Sequence, residues 1–322
     1  MSAVFLLAAS VLPAPAAAAD YPTKPIRMIV GFAPGGATDI TARAVAAKLA
    51  GALGQQVIVD NRSGATGNIA SELLAKAAPD GYTIMLAVTS LTTTSSVDPR
   101  SHKPSFDVNR DFVPIAPVAE FPNVLSLHPS VPAASVRELI ALAKARPGQL
   151  AYGSSGIGGF THLSTELFNS MARISMVHVP YKGGSPSMVD LIAGRIQVLF
   201  ATSSTVVAHI NNQKIRAIAV TTAKRSALLP DIPTIAESGL PGYEATNWSG
   251  LFVPTKTPRA IVRRLNAEII NVLAMPELKD FLFTQGQTPS PSATPEQFAA
   301  YVKSETAKWA KVITSSGIKV EF

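Results

Sequence analysis

The stretch Val30–Arg43, VGFAPGGATDITAR, runs an apolar strand through Pro-Gly-Gly straight into an alanine-rich helix. The residues leading into it, PIRMIVGF (25–32), are a short apolar run bounded by proline and glycine, which reads as a buried strand. Beyond the turn, Thr38 to Leu53 carries Ile40, Ala44, Val45, Ala47 and Leu49 along one helical face, and Gly51 and Gly54 mark its end. A turn this lean in side chains lets something approach the backbone. A helix N-terminus leaves unpaired N–H groups and carries about half a positive charge. Strand, glycine turn and helix together therefore form an anion site that needs no cationic side chain.

The same grammar recurs along the chain. QQVIVDN (55–61) reads as a strand, followed by a turn at 63–68 and a helix over about 69–77. TIMLAVTS (83–90) is a further strand. LAYGSSGIGGFTHLSTELF (150–168) and VHVPYKGGSPSMVDLIAGR (177–195) repeat the strand–turn–helix pattern, and 196–204 and 215–222 read as strands. This alternation implies an α/β fold of mostly parallel sheets flanked by helices. Its return after residue 122 implies two similar lobes. The C-terminal part is helical, and each of its helices opens on a Thr-Pro expected to supply N-cap and N1.

Four turns share one composition: Ala33–Thr38, Ser63–Asn68, Ser154–Thr161 and Lys182–Ser185. Each closes an expected strand and opens an expected helix. In open α/β sheets ligands bind at such carboxyl ends. None matches the phosphate-loop pattern G-x-x-x-x-G-K-[ST].

Composition narrows the function. The chain has 322 residues, 47% hydrophobic and 15% charged, enough for a full core. It has no cysteine, which excludes disulfides, thiolate nucleophiles and cysteine-held metal. The net charge of +7 is spread singly along the chain, with no basic run, which argues against a nucleic-acid face. Residues 1–19 are apolar and end in Ala17-Ala18-Ala19, the form of a cleavable signal peptide, although no Lys or Arg precedes Lys24. Pro13 and Pro15 break that run as a membrane anchor, so the expectation is an exported protein.

Catalytic sets are poor. His162 and Glu166 stand four apart on one expected helix, but a zinc site needs a third protein ligand. There is no G-x-S-x-G elbow. Asp39 and Asp190 read as early helix residues, suited equally to capping and to ligand contact. Tyr243 and Trp248 read as core.

These segments, together with YPTKPIRMIVGFAPGGATDITAR, VDNRSGATGNIA, PDGYTIML and IRAIAVTTAKRSALLPDIPTIAESGLPGYE, resemble the solute-binding proteins of tripartite tricarboxylate transporters, the Bug family. The similarity runs from Tyr21 to the C-terminus. It implies a two-lobed, type II periplasmic-binding-protein fold, with lobe one at 20–122 plus 247–322 and lobe two at 123–246. It implies a monomeric periplasmic receptor with no cofactor, no metal and no reaction of its own. Such a receptor holds a small organic carboxylate between its lobes and delivers it to large and small membrane permease subunits. A sensor for a membrane kinase, or a carboxylate-metabolising enzyme, are the alternative outputs of this architecture. Carried over by position, the contacts are Phe32, Ala33, Gly35, Gly36, Thr38, Asp39, Ser63, Ala65, Thr89 and Ser90 from lobe one. From lobe two they are Ser154, Gly158, Gly159, Thr161, His162, Lys182 and Gly183. The sequence departs from the family pattern at Ser63, Thr66, Gly159, Ala201 and Asn211–Gln213. Ala201 stands where the family commonly has an aspartate, so the resemblance implies a ligand without an amino group.

Overall fold

The structure, a computed structural model, describes residues 21–94, 105–181 and 184–316. The segment read as a signal peptide, and Lys182 and Gly183, lie outside the described residues. The first part of the chain forms β1 (Ile26–Val30), α1 (Ala37–Leu53), β2 (Val57–Asn61), a 3-10 turn at Ala65–Gly67, α2 (Asn68–Ala75), β3 (Thr83–Val88), α3 (Ser90–Thr94) and α4 (Val108–Asp111). Next come β4 (Phe112–Leu127), α5 (Val136–Ala145), β5 (Ala151–Ser154), α6 (Phe160–Ala172), β6 (Val177–Pro180), α7 (Gly184–Ile192), β7 (Val198–Thr202), α8 (Ser203–Asn211) and β8 (Arg216–Val220). The chain closes with β9 (Thr246–Pro254), α9 (Arg259–Ala274), α10 (Pro276–Thr284), β10 (Thr288–Pro289) and α11 (Pro295–Ser316).

The strands run in the order β2-β1-β3-β9-β4-β7-β5-β6, with β8 and β10 also paired to β4. The βα units pair in parallel, β1 with β2 and β3, and β5 with β6 and β7. Between these two flanks lie β9 and β4, both antiparallel to their neighbours. β4 belongs to both flanks: residues 112–122 pair with β9, and 123–127 pair with β7 and β8. Sequence periodicity does not reveal β4, because Pro114, Pro117 and Pro122 look like breakers. Two of them sit where its register against β9 shifts, at Pro114/Ala116 and Pro117/Ala119, and a bulge tolerates the missing N–H.

Each flank carries apolar packing on both faces. Ile26, Met28 and Val30 of β1 meet Val45 and Leu49 of α1 and Leu265 and Ile269 of α9. Ile29, on the opposite face of β1, packs with Leu74, Trp248, Phe252 and Phe298. In the other flank, Tyr152, Leu163, Phe168, Phe200 and Tyr243 form one cluster, and Val124, Leu191, Leu199 and Val220 another. Tyr243 and Trp248 are thus core residues, each 1% exposed.

α11 serves both flanks. Its first turns place Phe298 and Val302 against Trp248, and its later turns place Trp309, Val312 and Ile313 in the cluster of Phe168 and Tyr243. Its start is a reciprocal cap: Thr294 N–H donates to Gln297 Oε1 at 2.9 Å, and Gln297 N–H donates to Thr294 Oγ1 at 3.2 Å. The matching expectation for α9 fails. Pro258 is its N-cap, and Thr257 turns its hydroxyl away to the Pro254 carbonyl. Asp190 also departs from expectation. It lies in the last turn of α7, bonded to Tyr181 and Arg195.

Candidate functional site

The β1–α1 joint is built by close backbone contact. A Cβ on Gly31 would stand 2.8 Å from the Gly67 Cα, so this joint meets the 3-10 turn closely only with glycine at 31, while Gly67 takes a left-handed φ of +96°. Asp39, 2% exposed, orders the joint from beneath. Its carboxylate accepts from the Gly35 N–H, Arg43 Nε and Asn61 Nδ2, each at 2.9 Å, while Asn61 Nδ2 also donates to the Phe32 carbonyl. Burial pushes the Asp39 carboxyl up, but the hydrogen bonds from Arg43, Gly35 and Asn61 outweigh it and hold the group below its ordinary value. Asp39 is therefore an ionised positioning residue whose lone pairs are spent on the protein.

The β5–α6 joint has an analogous understructure. The Ser155 N–H donates to Thr161 Oγ1 at 2.9 Å, and the Gly158 N–H donates to His162 Nδ1 at 3.0 Å. The His162 ring stacks on His178, with centroids 3.9 Å apart and planes within 8°. His178 Nε2 lies 2.6 Å from Ser154 Oγ. Burial lowers both imidazoles, to about 3 for His162, where His178 adds to the effect, and to about 4 for His178. Both rings are neutral at neutral pH. Glu166 accepts from the Tyr152 hydroxyl at 2.5 Å and from Asn169, so it and His162 serve different partners.

Between the two flanks lies a cavity of about 440 Å³. Four helix starts line it: Gly36–Thr38 of α1, Gly159–Thr161 of α6, Gly184 and Ser185 of α7, and Thr202, Ser203 and Thr205 of α8. The N-caps Gly36, Gly159 and Thr202 make no side-chain cap, which leaves first-turn N–H groups free of capping side chains. Thr66, Val88, Ser90, Phe121, Asn247 and the Gln285–Gln287 link complete the lining. No residue of this described lining is Asp, Glu, Lys, Arg or His. Its hydroxyls therefore have no lining base to activate them, and among the described residues no three His, Asp or Glu side chains gather as a metal site. The arrangement suits reversible capture of an anion by backbone dipoles and neutral hydroxyls.

Six of the contacts carried over from the resemblance line this cavity, Phe32, Gly36, Thr38, Ser90, Gly159 and Thr161, as do Thr66 and Ala201, two of the departures from the family pattern. Asp39, Thr89, Ser154, Gly158 and His162 are buried and support it from behind, Thr89 by accepting from the Trp248 N–H at 2.8 Å. Ala33, Gly35, Ser63 and Ala65 are exposed and do not line it. Sequence reasoning missed Phe121, Phe200, the start of α8, Asn247 and Gln285–Gln287. The Thr-Ser-Ser ending at 204, read as strand, carries the helix-capping signal that would have revealed α8. Gln285–Gln287 has no such pattern and reaches the cavity because β10 pairs with Ala119 and Glu120 of β4.

A family model described as "Tripartite tricarboxylate transporter family receptor" matches residues 41–318. The "UPF0065 protein in tcbD-tcbE intergenic region" of Pseudomonas sp. (strain P51) is 40% identical over 294 residues, 91% of this chain and 86% of that protein. "Protein BugT" of Bordetella pertussis is 36% identical over 318 residues, 99% of this chain and 97% of that one. Among solved structures, "R. palustris Rpa4515 with adipate" superposes with a TM-score of 0.81 at 38% identity, covering 93% of this chain and 99% of that chain. Sequence and fold agree, and the chain belongs to the tripartite tricarboxylate transporter receptor family.

Proposed function

We propose that this protein captures a small organic carboxylate between two lobes, 20–122 with 247–322 and 123–246, and delivers it unchanged to a membrane permease of large and small subunits. The observation that carries the reading is the convergence of four helix starts on one cavity whose described lining bears no ionisable side chain. A helix start carries partial positive charge and N–H groups without an intrahelical partner, so a carboxylate is stabilised without a counter-ion. An adipate-bound structural neighbour at 38% identity supports the ligand class. The chain passes between the lobes at β4 and at the start of β9, and α11 packs against both cores; these three connections form the hinge. Closure is a population shift driven by ligand contacts to both lobes. The protein acts in the periplasm as a monomer, exported by its first 19 residues and needing no cofactor.

Thermal melts of refolded, ligand-stripped protein test this reading. A carboxylate at ~100 times its dissociation constant adds roughly 2.7 kcal/mol of stability. Adipate is expected to raise the melting temperature and its diamide to leave it unchanged, with the acid recovered intact after incubation. Equal shifts from acid and diamide, no shift from any carboxylate, or conversion of the acid would each overturn the reading.

A further inference from the structure

We infer that the ligand of this cavity is a carboxylate with an unsubstituted apolar body, alkyl or aryl, rather than a hydroxy acid or an amino acid. The inference rests on the carboxylate reading above and narrows it. Phe32, Val88, Phe121 and Ala201 give the cavity an apolar wall, and Phe160 and Phe200, 7% and 0% exposed, are core residues directly behind it. Behind that wall, Phe160 stands edge-on to Trp309 at 5.6 Å, and Phe200 packs against Phe168 at 5.7 Å. Phe32 lies over Gly67, where a Cβ would be 3.7 Å from the ring. Phe121 is half-buried on β4, opposite Asn247 of β9. The core behind this wall is packed without the ligand, so an apolar body gains contact with little ordering of side chains.

The polar groups are equally selective. Every described lining side chain that can hydrogen-bond is a neutral hydroxyl or carboxamide. An ammonium would shed its hydration here with no described carboxylate lining the cavity to replace it. Where the carbinol hydroxyl of a hydroxy acid meets Phe32, Val88 or Phe121, it loses its water partners. An unsubstituted chain or ring carries no such group.

Calorimetric titration of the ligand-stripped protein with adipate, 3-phenylpropanoate, malate, citrate, phenylalanine and 3-phenylpropanamide tests this. Adipate or 3-phenylpropanoate is expected to bind at least tenfold more tightly than malate, citrate and phenylalanine. Malate, citrate or phenylalanine binding as tightly would overturn the inference and leave the carboxylate reading standing. The amide matching its acid, or no acid binding, would bring down the carboxylate reading itself. Phe121→Asn is expected to shrink the ratio of malate to adipate dissociation constants by at least tenfold, and Phe121→Leu to retain it. A ratio unmoved by Phe121→Asn would remove Phe121 from the specificity wall. Should Phe121→Asn not fold, Phe32→Asn is read for the same ratio with the same two outcomes.

Discussion

Ser203, the first residue of α8, donates its hydroxyl to the Gly286 carbonyl at 2.9 Å, tying the β7 side of the cavity to the link that enters β10. Ser203 is 1% exposed, so the bond is shielded from water. Removing the hydroxyl strands a buried carbonyl, which costs about 1–3 kcal/mol. Ser203→Ala is expected to weaken carboxylate binding by roughly tenfold in calorimetric titration, because the bond joins elements on either side of the ligand. Unchanged affinity and unchanged stability would show that the bond contributes nothing to closure.

Asp39 gives a separable effect. Asp39→Ala leaves the Gly35 N–H without its acceptor and the Asn61 amide with only the Phe32 carbonyl, while Arg43, more than half exposed, is rehydrated. The expected loss of stability in urea unfolding is about 1–3 kcal/mol. Affinity should fall as well, since the Phe32–Gly36 backbone loses its anchor. Lost stability with intact affinity would mean that the joint holds its shape without the carboxylate.

The stacked histidines predict acid sensitivity. In the unfolded chain an imidazole takes up its proton near pH 6.5, whereas His162 and His178 stay neutral in the folded protein down to about 3 and about 4. The unfolded chain thus binds more protons across that window, and folding stability declines as pH falls from about 6.5 toward 4. Each ring should account for about 1–2 kcal/mol between pH 7 and 5. Urea unfolding at those two pH values measures the slope. His162→Gln should flatten it, and an equal slope in the variant would assign the effect elsewhere.

Gly250 in the middle of β9 marks the seat of α11. A Cβ there would lie 2.3 Å from Phe298 Cζ and 2.7 Å from Cε1. Gly250→Ala is expected to destabilise the protein by about 1–3 kcal/mol through overpacking. Pairing it with Phe298→Leu should recover part of that loss, and identical stabilities for Gly250→Ala and the parent would show that the helix shifts freely.

The parts of the fold that announce themselves in the sequence are those with local grammar. The β1–α1, β5–α6 and β6–α7 units combine apolar runs with glycine turns, so Gly36, Thr38, Gly159 and Thr161, which line the cavity, are legible as turn residues without coordinates. β4 could not, because its pairing overrides three prolines through bulges that only the partner strand reveals. Asp39 and His162 drew attention as polar residues near glycine turns, yet their partners Asn61 and His178 arrive from other segments and turn them into supports. Gln287 is legible only in three dimensions, where it meets Thr41, 246 positions earlier in the chain.

The dual seat of α11 couples the two halves energetically. Trp309 completes one core and Phe298 the other. A change that unseats the helix strips apolar burial from both halves at once, so neither half is weakened alone.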